Sequence, residues 1–223
     1  MGVRTVTRND IEPVVEALVS AFAGDPLIGF LFGDGREQES HVGEFFRILL
    51  EVRVTLGMPA FCAEEGGVIV GAVMGYDASR PTWEEGHTEK WTRLMAAAEG
   101  LDSRLREYGN LADKFEPSLP HYYIGVIGVR AGKKGSGIGG ALLEVFCDAS
   151  SKNVKSGGVY LETASEASLR FYLKNDFELR GEGILGKNTR LWCVFRATGP
   201  GAAANNGIKG DGKKPLRLMP SVM

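Results

Sequence analysis

Cysteine is scarce in this chain. Cys62, Cys147 and Cys193 are the only three, far apart and without a CxxC pair. That argues against a disulfide scaffold and against a zinc cluster, so no metal site is expected and the thiols read as reduced. Long apolar runs are also missing. No stretch approaches the ~20 apolar residues of a membrane span, and the N-terminus lacks the basic-then-apolar order of a secretory signal. Met1-Gly2 opens as a myristoylation signal does, but Val6 stands where Ser or Thr is required. A cytoplasmic protein without a membrane partner is expected. An excess of one charge is absent too: 26 Lys+Arg against 28 Asp+Glu leave a net charge of -2. That gives no general attraction for nucleic acid, and any basic patch has to be local. There is no internal repeat.

What remains is ordinary for a globular chain. The 43% apolar and 24% charged content, over 223 residues, suit one compact domain, or one domain plus a tail. From Thr198 onward the composition shifts to Gly, Ala, Asn, Lys and Pro. Such a segment buries too little apolar area to offset its ordering entropy, so residues 199–223 are expected to form a flexible tail.

Periodicity orders the rest. Val3 to Thr7 reads as a short strand, and Asn9 or Asp10 is placed to cap a helix carrying Ile11, Val14, Val15, Leu18, Val19 and Phe22. Gly24-Asp25-Pro26 ends it. An apolar run from Leu27 to Phe32 and a second helix over 37–55 follow. Strands are expected at 59–64 and 67–76, the latter apolar enough to be covered on both faces. Residues 83–115 read as polar and helical. Beyond them come a strand from Tyr122 to Val129, a helix to about Ser150, a strand from Val159 to Thr163 and a short helix from Glu166. Two closing strands fit 177–183 and 190–197.

The most informative segment joins the strand ending at Val129 to the helix starting near Ile138. It reads Arg-Ala-Gly-Lys-Lys-Gly-Ser-Gly between them, basic and packed with glycine. Side-chain-free residues let the main chain approach a ligand, and the first N–H groups of the helix point at it from the positive end of the dipole. A phosphate or pyrophosphate is the expected guest. Two families use such a turn. Gly135-x-Gly137-x-x-Gly140 matches the dinucleotide fingerprint, with Glu162 near the expected distance. In that fold, however, the first glycine follows the strand almost at once, and further βα units come afterwards. Here Arg130 to Lys134 intervene and only one short helix and two strands remain.

The other match is closer. Val129, four residues, then Lys134-Gly135-Ser136-Gly137-Ile138-Gly139 resembles the acyl-CoA loop of GNAT-type N-acetyltransferases. Their pattern of Arg or Gln, two residues, Gly, any residue, Gly or Ala falls on Lys134, Gly137 and Gly139, with Lys at the first position. Tyr160 to Phe177 is similar to the family's second landmark, a helix ending Phe-Tyr-x-x-x-Gly-Phe. The Phe22-x-x-Asp25-Pro26 turn, Leu161-Glu162-Thr163 and the closing Arg190-Leu-Trp-Cys-Val look like the puromycin N-acetyltransferases and their relatives. Two departures stand out. Asp176 replaces the usual Gly before Phe177, and Ser165 and Ser168 occupy the slots of an Asn that contacts cofactor.

The resemblance implies one α/β (α+β) domain over residues 1–198, with a mixed, mostly antiparallel sheet and helices on both faces. Its fourth and fifth strands would splay to hold acyl-CoA. It implies that the amides of Gly135, Ser136, Gly137, Ile138, Gly139 and Gly140 take the diphosphate of acetyl-CoA, aided by Lys134 and by Ser168. Ile127, Gly128 and Val129 would pair with the pantetheine arm and offer an N–H to the acetyl oxygen. Tyr172 would return a proton to the CoA thiolate. The acceptor implied is a primary amine of a small molecule, of the antibiotic or aminonucleoside type, handled by a monomer or homodimer. Protein lysine or N-terminal acetylation, and a non-catalytic acyl-CoA-binding module, are the alternatives.

No general base stands out. The fourth strand holds no carboxylate; His121, Tyr122 and Tyr123 are candidates at its start, and Glu162 reads as a structural hydrogen-bonding group. A His beside Pro120 is expected on the surface. Phe22, Phe30, Phe32, Trp83, Trp91 and Tyr123 are candidates to line the acceptor pocket, each alone more often core.

Overall fold

The computed structural model describes residues 1–33, 35 and 37–198; the expected tail lies outside the described residues. Fourteen elements alternate along them: β1 (Gly2–Thr5), α1 (Ile11–Ala21), α2 (Pro26–Phe32), α3 (Gln38–Thr55), β2 (Ala60–Glu65), β3 (Val68–Tyr76), α4 (Glu85–Ala97), α5 (Leu101–Ala112), β4 (Tyr122–Val129), α6 (Ile138–Ser151), β5 (Gly158–Thr163), α7 (Glu166–Leu173), β6 (Glu178–Leu185) and β7 (Thr189–Ala197). The strands form one sheet in the order β1-β2-β3-β4-β5-β7-β6. Every neighbouring pair is antiparallel except β4 and β5. Helices cover both faces, as expected from the sequence.

Each face has its own apolar cluster. Leu18, Phe46, Leu49, Ala72, Met74, Tyr123 and Tyr160 belong to the cluster beneath α1–α5. Val73, Ile124, Leu142, Phe146, Leu161 and Tyr172 belong to the one beneath α6 and α7. The continuous apolar run of β3 is buried from Ile69 to Tyr76, feeding both clusters in alternation. Burying α6 residues such as Leu142, Leu143 and Phe146, all fully buried, stabilises by roughly 1.5–3 kcal/mol each.

The β4–β5 pair is the feature that shapes a site. Its register runs over two positions only, Tyr122↔Val159 and Tyr123↔Tyr160. On the other edge of β4, Met74 pairs with Val126 but Gly75 with Ile124, so Gly125 is an extra residue and the strand is bulged there. A bulge bends a strand and increases its local twist. Beyond Gly125, β4 keeps its bonds to β3 and leaves β5, and the sheet forks.

Two local expectations are corrected or explained. Asp10 does not cap α1 by its side chain. Residues Arg8–Asp10 form a tight turn instead, and the Asp10 carboxylate accepts from Thr7 N, Thr7 Oγ1 and both Arg4 Nη atoms. Asp176, standing where glycine is usual, has φ +62°. Asp tolerates this left-handed conformation better than most residues because its short side chain bonds locally.

Candidate functional site at the strand fork

The open end of the fork leads into a cleft of about 640 Å³. Its walls come from three places: the α1–α2 turn, the end of β4 with the glycine turn, and the first turns of α6 and α7. Of the residues singled out from the sequence, Ile127, Gly128, Val129, Lys134, Gly135, Gly137, Gly139, Gly140, Ser168 and Tyr172 all line it. Two do not. The Ile138 side chain is buried in the core beneath α6, leaving only its main chain near the turn. Ser136 is exposed and donates its hydroxyl to Lys133 O at 2.6 Å, which holds the turn.

The turn is built for main-chain recognition. Gly137, the residue preceding α6, has φ +84°, and no side chain caps the helix. A Cβ at Gly137 would meet nothing within 4 Å, so the glycine is there for its backbone conformation and for open space above it. Ala141 N donates to Gly137 O in the first turn of α6. The glycine turn that lines the cleft thus lies at the positive end of the helix dipole. Lys133 and Lys134 both line the cleft, and Lys133 is also held by Glu65 at 2.8 Å. At the neck, a Cβ on Gly128 would lie 2.9 Å from both Ala21 Cβ and the Phe22 ring. Only glycine lets α1 seat against this part of β4.

Tyr172 projects from α7 and is buried, with its ring against Phe171 and Phe177. Burial pushes its hydroxyl well above the usual phenol range, and the Asp25 carboxylate pushes it further. The group stays protonated and arrives at the cleft as a donor. Asp25 itself was legible only as a turn former. It caps α2, with Oδ1 accepting from Leu27 N at 2.9 Å and Ile28 N at 3.2 Å. Burial raises its proton affinity, against those two amides and Lys134. Ser165 caps α7 by accepting from Ser168 N, so of the two serines in the expected Asn slot one is committed to the helix.

Across the sheet, the face under α1–α5 carries polar groups that sequence reasoning did not assemble. Tyr108 Oη donates to Glu162 Oε2 at 2.9 Å and lies 3.2 Å from Tyr123 Oη. Arg53 is fully buried, its guanidinium 4.2 Å from the centre of the Tyr76 ring, with Nη1 donating to Leu49 O. His121, expected at the surface, is buried. It sits 3.0 Å from Glu116, which also takes Arg80 at 2.6 Å. Of the expected aromatic lining, Phe22 reaches the cleft. Trp83 and Trp91 pack on each other in the core, and Phe32 packs on Phe45.

No sequence-family model matches the chain. Solved structures do. One, described as histone acetyltransferase HPA2 and related acetyltransferase from Corynebacterium glutamicum, is 21% identical with a TM-score of 0.66, over 88% of this chain and 95% of that one. A polyamine N-acetyltransferase from Drosophila melanogaster is 20% identical with a TM-score of 0.59, over 87% and 97%. An N-acetyltransferase from Staphylococcus aureus is 16% identical with a TM-score of 0.57, over 87% and 100%. The fold is that of the GNAT-type acetyltransferases. At these identities the likeness establishes the GNAT fold and leaves the chemistry to the site. Among the described residues no single helix is long and apolar enough to cross a membrane.

Proposed function

We propose that this GNAT-fold protein transfers the acetyl group of acetyl-CoA to a primary amine. The observation that carries the reading is the meeting, in one cleft, of the glycine turn, the unzipped end of β4 and the buried hydroxyl of Tyr172. Each answers a need of the reaction. Amides of residues 135–140, with Lys134 and Ser168, hold the diphosphate. The β4 edge from Ile127 to Val129, released from β5, pairs with the extended arm and donates an N–H to the developing oxyanion. A preorganised donor of that kind contributes roughly 2.7–4 kcal/mol. Tyr172, kept protonated by burial and by Asp25, gives its proton to the departing thiolate as general acid.

A small-molecule amine is the acceptor we favour, which includes polyamines, agmatine and aminonucleosides such as puromycin. A larger cavity of about 1150 Å³ shares the wall from Phe22 to Pro26 and carries Glu12, Glu16 and Glu39 against Arg47 and Arg130. Its carboxylates suit a cationic acceptor. Because it is open, a lysine-bearing peptide is the second reading. The test begins with calorimetry and thermal melting in millimolar acetyl-CoA, where binding heat and a raised midpoint are expected and NADH should give neither. A thiol reporter then follows CoA release against puromycin, agmatine, spermidine and a lysine peptide. Protein that neither warms nor is stabilised by acetyl-CoA ends the proposal.

A further inference from the structure

Arg53 carries a charge where the fold gives little to answer it. It stands in the last turn of α3 and is fully buried. Among the described residues its Nε and Nη2 have no hydrogen-bond partner. Nη1 donates to Leu49 O at 3.0 Å, and the guanidinium lies 4.2 Å from the centre of the Tyr76 ring, which Trp83 Nε1 fixes by donating to its hydroxyl at 2.6 Å. Burial works against the charge, and the two groups that favour it are the Tyr76 and Tyr123 phenols; no carboxylate is among them. The helix C-terminus and the ring face offset part of the desolvation. An arginine keeps its proton even so, and a positive charge without an anion therefore lies inside the core. Such a charge is expensive, and an apolar chain of similar volume serves stability as well or better. Stability alone does not account for it.

Its position does. A Cβ added to Gly125 would lie 3.5 Å from Arg53 Nη2, so the guanidinium sits directly behind the β4 bulge, with Tyr76 and Tyr123 of the α1–α5 face. Gly125 is itself partly exposed, and Ile127, two residues on, lines the cleft. Two extended residues span about 7 Å, which places the charge roughly 10 Å from the β4 edge that meets the acetyl group in our reading.

We propose that Arg53 is a positioning residue acting through its field: from behind the bulge it supports the negative charge that develops on the acetyl oxygen at the β4 edge; this rests on the acetyltransferase reading. As the amine nitrogen bonds to the acetyl carbon, an electron pair of the carbonyl moves onto oxygen. When it returns, the carbon–sulfur bond breaks, the thiolate takes the Tyr172 proton and the surplus amine proton leaves to solvent. The strand edge touches the oxygen, and Arg53 adds a fixed charge behind it that needs no reorganisation. At an effective dielectric of about 20, a unit charge roughly 10 Å from that oxygen corresponds to on the order of tenfold in rate.

The experiment compares wild type with Arg53→Met, Arg53→Gln and Arg53→Lys, and its first readout needs no acceptor. Infrared difference spectra of bound acetyl-CoA, carbonyl-labelled against unlabelled, report the thioester stretch. We expect wild type to draw that stretch to lower frequency than in free cofactor, the Met and Gln variants to give back at least a third of the shift, and Lys to keep it. With the best amine of the panel, kcat should fall at least fivefold in Met and Gln and stay within threefold of wild type in Lys. Acetyl-CoA affinity should hold within twofold throughout. Arg53→Met should melt at or above the wild-type midpoint, whereas an arginine kept for structure predicts a lower one. A stretch unmoved in both neutral variants, or a kcat loss that Lys does not rescue, overturns the assignment and leaves the acetyltransferase reading in place. A loss confined to KM for the amine makes Arg53 part of acceptor recognition and overturns it as well. A wild type that binds no acetyl-CoA removes both.

Discussion

The two sides of the forked sheet are made differently. The cleft below the glycine turn is mostly main chain: a left-handed Gly137, a glycine at the neck, amides at a helix start and an unzipped strand edge. The opposite face is side chains brought from far apart, with Tyr108 on α5, Tyr123 on β4, Glu162 on β5 and Arg53 on α3 meeting in space. A backbone site needs only local order, and one substitution that respects φ leaves it nearly whole. A side-chain site needs the whole tertiary fold and is tuned by each member. In our reading the first grips a constant molecule, acetyl-CoA.

The sharpest way to break this comparison is at Tyr172, the side chain to which our reading gives the chemistry of the backbone-built side. Tyr172→Phe keeps the ring among Phe171 and Phe177 and deletes the donor. We expect kcat to fall at least tenfold, within the range of general-acid contributions, and acetyl-CoA affinity to change little. Single-turnover CoA release measures the first and calorimetry the second. Unaltered turnover would retire the assignment.

Gly137→Ala probes the main-chain part. A non-glycine residue in the left-handed region costs about 1–2 kcal/mol, so binding that requires φ +84° should weaken about tenfold, at 1.4 kcal/mol per decade. The dissociation constant of acetyl-CoA reports it, and kcat at saturating cofactor should hold. An affinity unchanged in this variant means the turn does not grip the ligand. Lys134→Ala should cost less, three- to fivefold, because a solvent-facing cation works through screened attraction. Its remaining affinity should depend less on salt than that of wild type. Equal salt dependence in the two proteins would place Lys134 outside the binding field.

The same contrast explains what the sequence could reveal. The turn from Arg130 to Gly139 is contiguous, so its glycines, its charge and the helix that follows were readable in order, and the strands and helices around it fell within a few residues of expectation. The fork was expected only through a family likeness. The bulge at Gly125 beside it has only an isolated strand glycine as its mark, which does not say where β4 parts from β5. Tyr108 was invisible as a member of this face because it sits in a polar helical stretch whose apolar anchors account for its packing. Glu162 was read as a hydrogen-bonding group without its partner, since a lone acidic residue on a strand says nothing about the tyrosine that will reach it from α5. His121 was misplaced for a related reason. Proline before it suggested a surface loop, whereas Glu116, on the same connection, and Arg80, distant in sequence, supply the partners that make its burial tolerable.

His121 yields the smallest effect. Burial lowers its proton affinity below the ordinary value of 6.5, and Arg80 adds to this, against the opposing pull of Glu116. Above 6.5 the ring is neutral in both folded and unfolded chains and contributes no pH dependence. As the pH falls below 6.5 the unfolded chain takes up a proton that the folded chain resists, so stability declines, by at most about 1.4 kcal/mol per unit. For a domain of this size that is roughly 2–4 °C in the melting midpoint for each kcal/mol. Asp10 acts in a separate window. Arg4 holds its carboxyl well below the ordinary 3.8, so the stability it adds is complete above that value and lost only as the pH drops beneath it. Melting curves between pH 7 and 5 should therefore slope downward in wild type and flatten in His121→Gln, which keeps a hydrogen-bonding side chain but no titration. Parallel curves for the two proteins would mean that another group carries the acid sensitivity of this face.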